Sequence, residues 1–174
     1  MMNDSGGEEC AGGAKKAARM EEFLGTLDDL MGTAESTAFD PCYLGYFECF
    51  NTQRYYEAHD VLEHLWLKEG REAADYRFYK GLIQLAGGFV HLKLQFTHPN
   101  HHKHGRRLHP ARRLFLLSLD NLAPYAVGGG GVRHHGLDLE IPRSLAQEMV
   151  TLIEEGDFSV NPWNPETPPI LSLQ

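Results

Sequence analysis

The sequence predicts an all-α protein: a compact array of about five helices around one buried central helix, with an additional N-terminal helix and an extended, Pro-rich C-terminal tail. Three observations support this prediction. Apolar residues recur at helical spacing from Tyr43 to Gly156, and no segment alternates long enough to predict a strand. The helix expected over about Ala73–Gln95 is apolar almost all round, which is typical of a helix enclosed by others. Four prolines among the last 17 residues favour an extended tail.

The chain divides into an N-terminal extension (1–40), a helical core (41–156) and the tail (157–174). In the extension, apolar residues between Met20 and Met31 are spaced by four, three and four, which predicts an amphipathic helix over Ala14–Met31. A Gly/Thr/Ser/Pro run then forms a linker. In the tail, we expect the Trp163 side chain to pack against the helical core and so fix the tail in place.

Glycine and proline mark the ends of the core helices. Gly70 stops the second helix, and Pro110 and Pro142 suit the first turns of the fourth and fifth. The expected helices cover Tyr43–Asn51, about Arg54–Lys68, about Ala73–Gln95, Pro110–Leu122 and Pro142–Gly156.

The central helix carries one narrow polar line, formed by Lys80, Gln84 and His91. Gly87 and Gly88 lie beside this line, and each costs roughly 1 kcal/mol relative to alanine within a helix. We therefore expect another helix or a ligand to approach closely at these two glycines.

The second helix places an imidazole, His59, inside its apolar arc, and Glu63 follows one turn later. A buried imidazole without a partner costs about 1–3 kcal/mol, so Glu63 is the expected partner. Asp60, His64 and Lys68 fall outside the arc and are expected to face solvent. If the polar line packs against this arc, the resulting internal pocket is lined by Glu57, His59, Glu63, Trp66, Lys80, Gln84 and His91.

The pair His59 and Glu63 admits three interpretations. The plainest is a hydrogen bond that fixes helix packing. The second is a divalent-metal site with His91 as third ligand, because i,i+4 spacing directs both side chains to one point and catalytic zinc takes three protein ligands. The third is an acid–base pair whose pKa values burial separates, as in a hydrolase.

The segment His98–Arg113 is a second candidate region, with five histidines, four arginines, one lysine and no acid. Such a segment could bind phosphate, nucleic acid or an acidic partner, or a transition metal through its clustered imidazoles. The plainer interpretation is a solvated basic loop that balances an acidic molecule.

Composition excludes several classes of protein. The 174 residues carry 16 Lys and Arg against 24 Asp and Glu, a net charge of −8, which disfavours a dedicated nucleic-acid binder. No apolar stretch approaches the roughly 20 residues of a membrane span, and no signal sequence opens the chain. The three cysteines lack CxxC spacing. We therefore expect a cytoplasmic protein; a homo-oligomer is compatible with the sequence but not required by it.

Several motifs together resemble a bacterial family known as domain of unknown function 309. They are Phe50-Asn51, the block Tyr55-Tyr56-Glu57-Ala58-His59-Asp60-Val61-Leu62-Glu63 with Trp66, Gly81-Leu82-Ile83-Gln84-Leu85-Ala86, His91, and Gly136-Leu137-Asp138. The resemblance covers roughly residues 43–155 and implies a small, all-helical cytoplasmic domain. It implies no activity, because the family has none established. The N-terminal extension, the His-rich loop and Pro110 depart from the family pattern.

The sequence thus favours a small-ligand or metal-binding module, or a scaffold, with an internal His/Glu pocket, and a divalent metal is the expected cofactor if there is one. The alternatives are a metal-assisted or His/Glu acid–base hydrolase and a protein that binds a partner through residues 98–113.

Overall fold

Five α-helices dominate residues 39–128 and 131–174, which, with Glu22 and Gly25, are the residues described in this computed structural model. The all-α prediction is confirmed. The N-terminal helix predicted over Ala14–Met31 lies outside the described residues, except for Glu22 and Gly25, which are both helical. The five helices are α1 (Pro41–Asn51), α2 (Tyr55–Glu69), α3 (Tyr76–Thr97), α4 (Leu108–Leu122) and α5 (Glu140–Glu155).

Local signals set several helix ends. Asp40 caps α1 by accepting a hydrogen bond from the Cys42 amide at 2.8 Å. Asp138 accepts from the Glu140 amide at 3.0 Å at the start of α5. Helix α4 begins two residues earlier than predicted because Pro110 occupies the third position of its first turn, where an amide hydrogen has no partner within the helix. A 3₁₀ turn, Ala123–Tyr125, follows α4.

Helix α3 is the central helix, as predicted, and packs against α2 and α4. The Tyr46 hydroxyl of α1 donates to the Leu82 carbonyl of α3 at 2.9 Å, which ties α1 to the same helix. The predicted close approach is confirmed: a Cβ atom on Gly88 would lie 2.4 Å from Cε1 of Phe115 in α4, and one on Gly87 would lie 3.2 Å from Cδ1 of Leu114.

A small antiparallel hairpin, which the sequence analysis did not predict, connects α4 to α5. Its strands, β1 (Arg133–His134) and β2 (Leu137–Asp138), are too short for an alternating pattern to show. His135 and Gly136 form the turn, with φ values of +46° and +75°, as expected for a type I′ turn. Leu137 also pairs with Leu173 of the tail.

The tail is fixed to the helical core, as predicted for Trp163. The indole of Trp163 is 5% exposed, donates to the Tyr55 hydroxyl at 3.2 Å and packs edge-on against Phe96. Further along, the Asn51 side chain makes two hydrogen bonds with the Leu171 backbone, at 2.7 and 2.8 Å. None of the described helices combines the length and apolar character needed to cross a membrane.

Candidate functional site

Three potential metal ligands converge on one turn of α2: His59, Asp60 and Glu63. Each offers a ligand atom within 4.8 Å of the others, and His59 Nδ1 lies 3.1 Å from Asp60 Oδ1. The prediction that Asp60 faces solvent is wrong, because its residue surface is 8% exposed. Apolar periodicity cannot detect such a position, since a carboxylate is buried through pairing with a polar group and not through apolar contact.

Helix α3 approaches this group at Gly87. A Cβ atom at Gly87 would lie 3.8 Å from Cδ2 of His59, so one edge of the imidazole is directed towards α3. The opposite side of the ring, at Nδ1, faces Asp60. The His59 side chain is 32% exposed, so it lies at the boundary between core and surface and not deep inside the core.

Lys80 and Trp66 belong to an aromatic cluster where α2 ends and α3 begins. The Lys80 ammonium lies 5.9 Å from the centre of the Trp66 ring and 5.8 Å from that of Tyr76, within reach of a cation–π interaction. The Trp66 indole donates to the Tyr76 carbonyl at 3.1 Å. These contacts stabilise the α2–α3 connection.

Gln84 interacts with α4. Its Oε1 accepts from the Asn121 amide at 2.7 Å, and the Asn121 carbonyl oxygen accepts from Arg77 at 3.2 Å. This network links α3 and α4 through the buried Asn121, the half-buried Gln84 and the exposed Arg77, and it explains part of the predicted polar line without a ligand.

His91 contacts the chain just before α4. Its Nδ1 lies 3.5 Å from Nη1 of Arg107, and its pKa is lowered by burial and by the positive charge of that arginine. In the part of the chain that the structure describes, Asp60 is the residue whose ligand atom lies close to those of His59 and Glu63. His91, the predicted third ligand, is not part of that group. Glu57, also placed in the predicted pocket, is exposed.

Some of the basic residues in segment 98–113 are already engaged within the protein. Arg112 forms a 2.5 Å ion pair with Glu154 of α5, and the His109 ring stacks on Phe158 with 4.0 Å between centres. The His101 and His104 rings stack on each other at 4.4 Å. Lys103, Arg106 and Arg113 are exposed, so binding of an acidic partner to this segment stays a prediction.

The described residues hold a second group of potential ligands, which the sequence analysis missed: Asp75, His134 and His135. Asp75 immediately precedes α3, whereas the histidines lie in the hairpin. The adjacent histidines before Gly136 were the available signal. Their carboxylate partner is about sixty positions away and is brought to them only by the fold.

These features define a helical domain that presents clustered imidazole and carboxylate groups around its central helix. Residues 43–99, from the third residue of α1 to just beyond the end of α3, match the family model described as Domain of unknown function (DUF309). The resemblance to that family is thereby confirmed for this segment, which contains His59, Asp60, Glu63 and Asp75 but not the hairpin. No curated protein and no solved structure matches the chain.

Proposed function

We propose that this chain is a metal-binding module in which His59, Asp60 and Glu63 hold a divalent cation beside α3. The observation that supports this proposal is the convergence of three ligand atoms within 4.8 Å on a single helical turn. One imidazole and two carboxylates form a nitrogen–oxygen ligand set that suits Mn²⁺, Fe²⁺ or Zn²⁺.

The separation of His59 Nδ1 and Asp60 Oδ1 is compatible with a shared ion. Two ligands at about 2.1 Å from one metal lie about 3.0–3.4 Å apart for ligand–metal–ligand angles between about 90° and 110°, and these two atoms are 3.1 Å apart. A cation would then replace the proton that the two groups share, so binding would depend on pH. Glu63, one helical turn further on, would complete the ligand set.

Metal titration of three variants tests the proposal. We expect Glu63→Gln and Asp60→Asn each to weaken Mn²⁺ or Zn²⁺ binding at least about tenfold, since a lost ligand costs more than about 1.4 kcal/mol. His64→Gln is the matched control, because His64 lies on the same helix, is exposed and is outside the ligand group.

Isothermal titration calorimetry, with circular dichroism to verify folding, gives the readout. The proposal fails if the folded wild-type protein binds neither ion, or if Glu63→Gln and Asp60→Asn bind as tightly as His64→Gln. In either case the convergence of His59, Asp60 and Glu63 is a structural feature of α2 alone.

A further inference from the structure

The hairpin brings two adjacent imidazoles onto one carboxylate. His134 Nε2 lies 2.6 Å from Oδ1 of Asp75, and His135 Nε2 lies 2.8 Å from Oδ2. Asp75 is the N-cap residue of α3, but its side chain makes no capping hydrogen bond. An N-cap aspartate ordinarily accepts from the amides of the first helical turn. Here both carboxylate oxygens face the hairpin instead.

The backbone of the turn explains how neighbouring residues reach the same group. Consecutive side chains of a strand point to opposite faces. His135 is the first residue of the type I′ turn, with φ of +46°, and this left-handed conformation directs its ring to the same carboxylate as that of His134. Asn, Asp and Gly are the usual residues at this position. Histidine is, with Asn and Asp, among the non-glycine residues that adopt this left-handed conformation most readily.

Contacts from other parts of the chain hold the turn in place. The Tyr43 hydroxyl of α1 donates to the His135 carbonyl at 3.1 Å. The Gln174 amide of the tail donates to the Gly136 carbonyl at 2.9 Å. The two imidazoles are thus positioned by α1 and by the tail as well as by their bonds to Asp75, so the group is preorganised.

Aromatic rings surround the two imidazoles. The Phe78 and Tyr125 rings lie 4.6 and 4.7 Å from the His134 ring, and the Tyr79 ring lies parallel to that of His135 at 6.2 Å. The side chains of His134 and His135 are 28% and 36% exposed, so the group is open to solvent on one side. An apolar surround with one open side strengthens electrostatic attraction and leaves a route for an ion.

We propose that Asp75, His134 and His135 form a transition-metal site, with Zn²⁺ as its representative ion and one coordination position left for water. Two imidazole nitrogens and one carboxylate oxygen are a common ligand set for zinc with an open position, and also the set of mononuclear iron sites. This site shares no residue with the His59–Asp60–Glu63 group and does not depend on it.

Binding requires a small rearrangement. The present separations of 2.6 and 2.8 Å are hydrogen-bond distances, whereas two ligands of a tetrahedral zinc ion lie about 3.4 Å apart. The His134 and His135 nitrogens must therefore move away from their carboxylate oxygens by about 0.8 and about 0.6 Å. Each ring must also carry its proton on Nδ1, so that the lone pair of Nε2 faces the ion.

The test uses a background variant with fewer competing ligands. In the full chain, His98, His101, His102 and His104 of the loop before α4 are replaced by Gln together with Glu63→Gln, which removes the clustered loop histidines and one ligand of the His59–Asp60–Glu63 group. Asp75→Asn and His135→Asn are then introduced separately. Asn suits the left-handed turn position, so His135→Asn should retain the hairpin, and His64→Gln is the matched control.

Zinc affinity is measured by competition with a chromogenic chelator, and melting temperature is measured with and without Zn²⁺. We expect the background variant and its His64→Gln control to bind one Zn²⁺ per chain and to melt at higher temperature with it. Asp75→Asn and His135→Asn should each weaken binding at least tenfold and abolish the rise in melting temperature.

Two outcomes would overturn the proposal: a folded background variant that binds no stoichiometric Zn²⁺, or binding that His135→Asn leaves unchanged. Either would show that Asp75 and the two histidines form only a hydrogen-bonded connection between α3 and the hairpin. Because His135→Asn favours the observed turn, it decides the question even if Asp75→Asn does not fold.

Discussion

Replacing Gly88 by alanine tests the close approach of α3 and α4 on which the arrangement of the central helix depends. The added Cβ would lie 2.4, 2.6 and 2.8 Å from three carbons of the Phe115 ring, whereas ordinary contact begins near 3.4 Å. Phe115 is fully buried and packs edge-on against Phe89 at 5.2 Å, so its ring cannot swing into solvent. The helices must therefore separate, or the ring must leave its preferred rotamer.

Two opposing effects determine the magnitude. Alanine stabilises a helix interior by about 1 kcal/mol relative to glycine. Overpacking a dense core costs about 1–3 kcal/mol, and a 2.4 Å contact belongs at the upper end of that range. We expect Gly88→Ala to lower the free energy of unfolding by about 2 kcal/mol, which corresponds to a melting temperature about 4–8 °C lower for a chain of this size.

Gly87→Ala is the matched control. Its Cβ would meet Cδ1 of Leu114 at 3.2 Å, and this methyl group ends a flexible side chain that can move aside. We expect its stability to be unchanged or to rise by up to about 1 kcal/mol. A double variant, Gly88→Ala with Phe115→Leu, should be less destabilised than the sum of the two single changes, since the smaller side chain removes the clash.

Urea unfolding followed by circular dichroism measures all four variants. A Gly88→Ala protein as stable as wild type would refute the close approach of α3 and α4 inferred from these distances. Additive effects in the double variant would show that the destabilisation arises from something other than the Phe115 ring.

Three further predictions concern buried groups. Burial raises the pKa values of Cys42 and Cys49 to about 11 and about 12. A thiol reagent at pH 8 should therefore modify neither cysteine in the folded chain and both cysteines in denaturant, as measured by peptide mass spectrometry. Rapid labelling without denaturant would contradict this prediction. Asn51→Asp removes the side-chain NH₂ group that donates to the Leu171 carbonyl. Urea titrations should show a free energy of unfolding about 1–3 kcal/mol lower than that of wild type. An unchanged value would show that the contact between Asn51 and the tail contributes no stability. The pKa of His91 is lowered in the folded chain, so the unfolded chain binds a proton at this imidazole more tightly. The free energy of unfolding should therefore fall as the pH drops below 6.5. Between pH 7 and pH 5, urea titrations should show a smaller loss of unfolding free energy for His91→Gln than for wild type.

The helices could be predicted because their signals are local. Gly70 ends α2 with φ of +81°, and the all-round apolar pattern of α3 identifies the central helix. The proximity of His59 and Glu63 also follows from sequence, because i,i+4 spacing on a helix needs no knowledge of the rest of the fold. Trp163 was predictable for a similar reason, as a large aromatic residue in a Pro-rich tail favours docking onto the core.

The polar line of α3 shows where such reasoning stops. Lys80, Gln84 and His91 share one helix face, but their partners belong to different elements: the Trp66 and Tyr76 rings, Asn121 of α4, and Arg107 in the loop before α4. Helical periodicity predicts which residues share a face. It does not predict which neighbouring element each residue meets, because that depends on crossing angles and loop paths set by the whole core.

The hairpin adds a further distinction between the two ligand groups. His59, Asp60 and Glu63 lie on one helical turn inside residues 43–99, so a single local segment holds every residue of the first group. The second group requires Asp75 from within the match and His134 and His135 from outside it. Its assembly depends on α1 and the tail, which hold a turn whose first residue, His135, has a left-handed backbone conformation. The first group is therefore set by one local helical segment, whereas the second is assembled only where the hairpin packs against the start of α3.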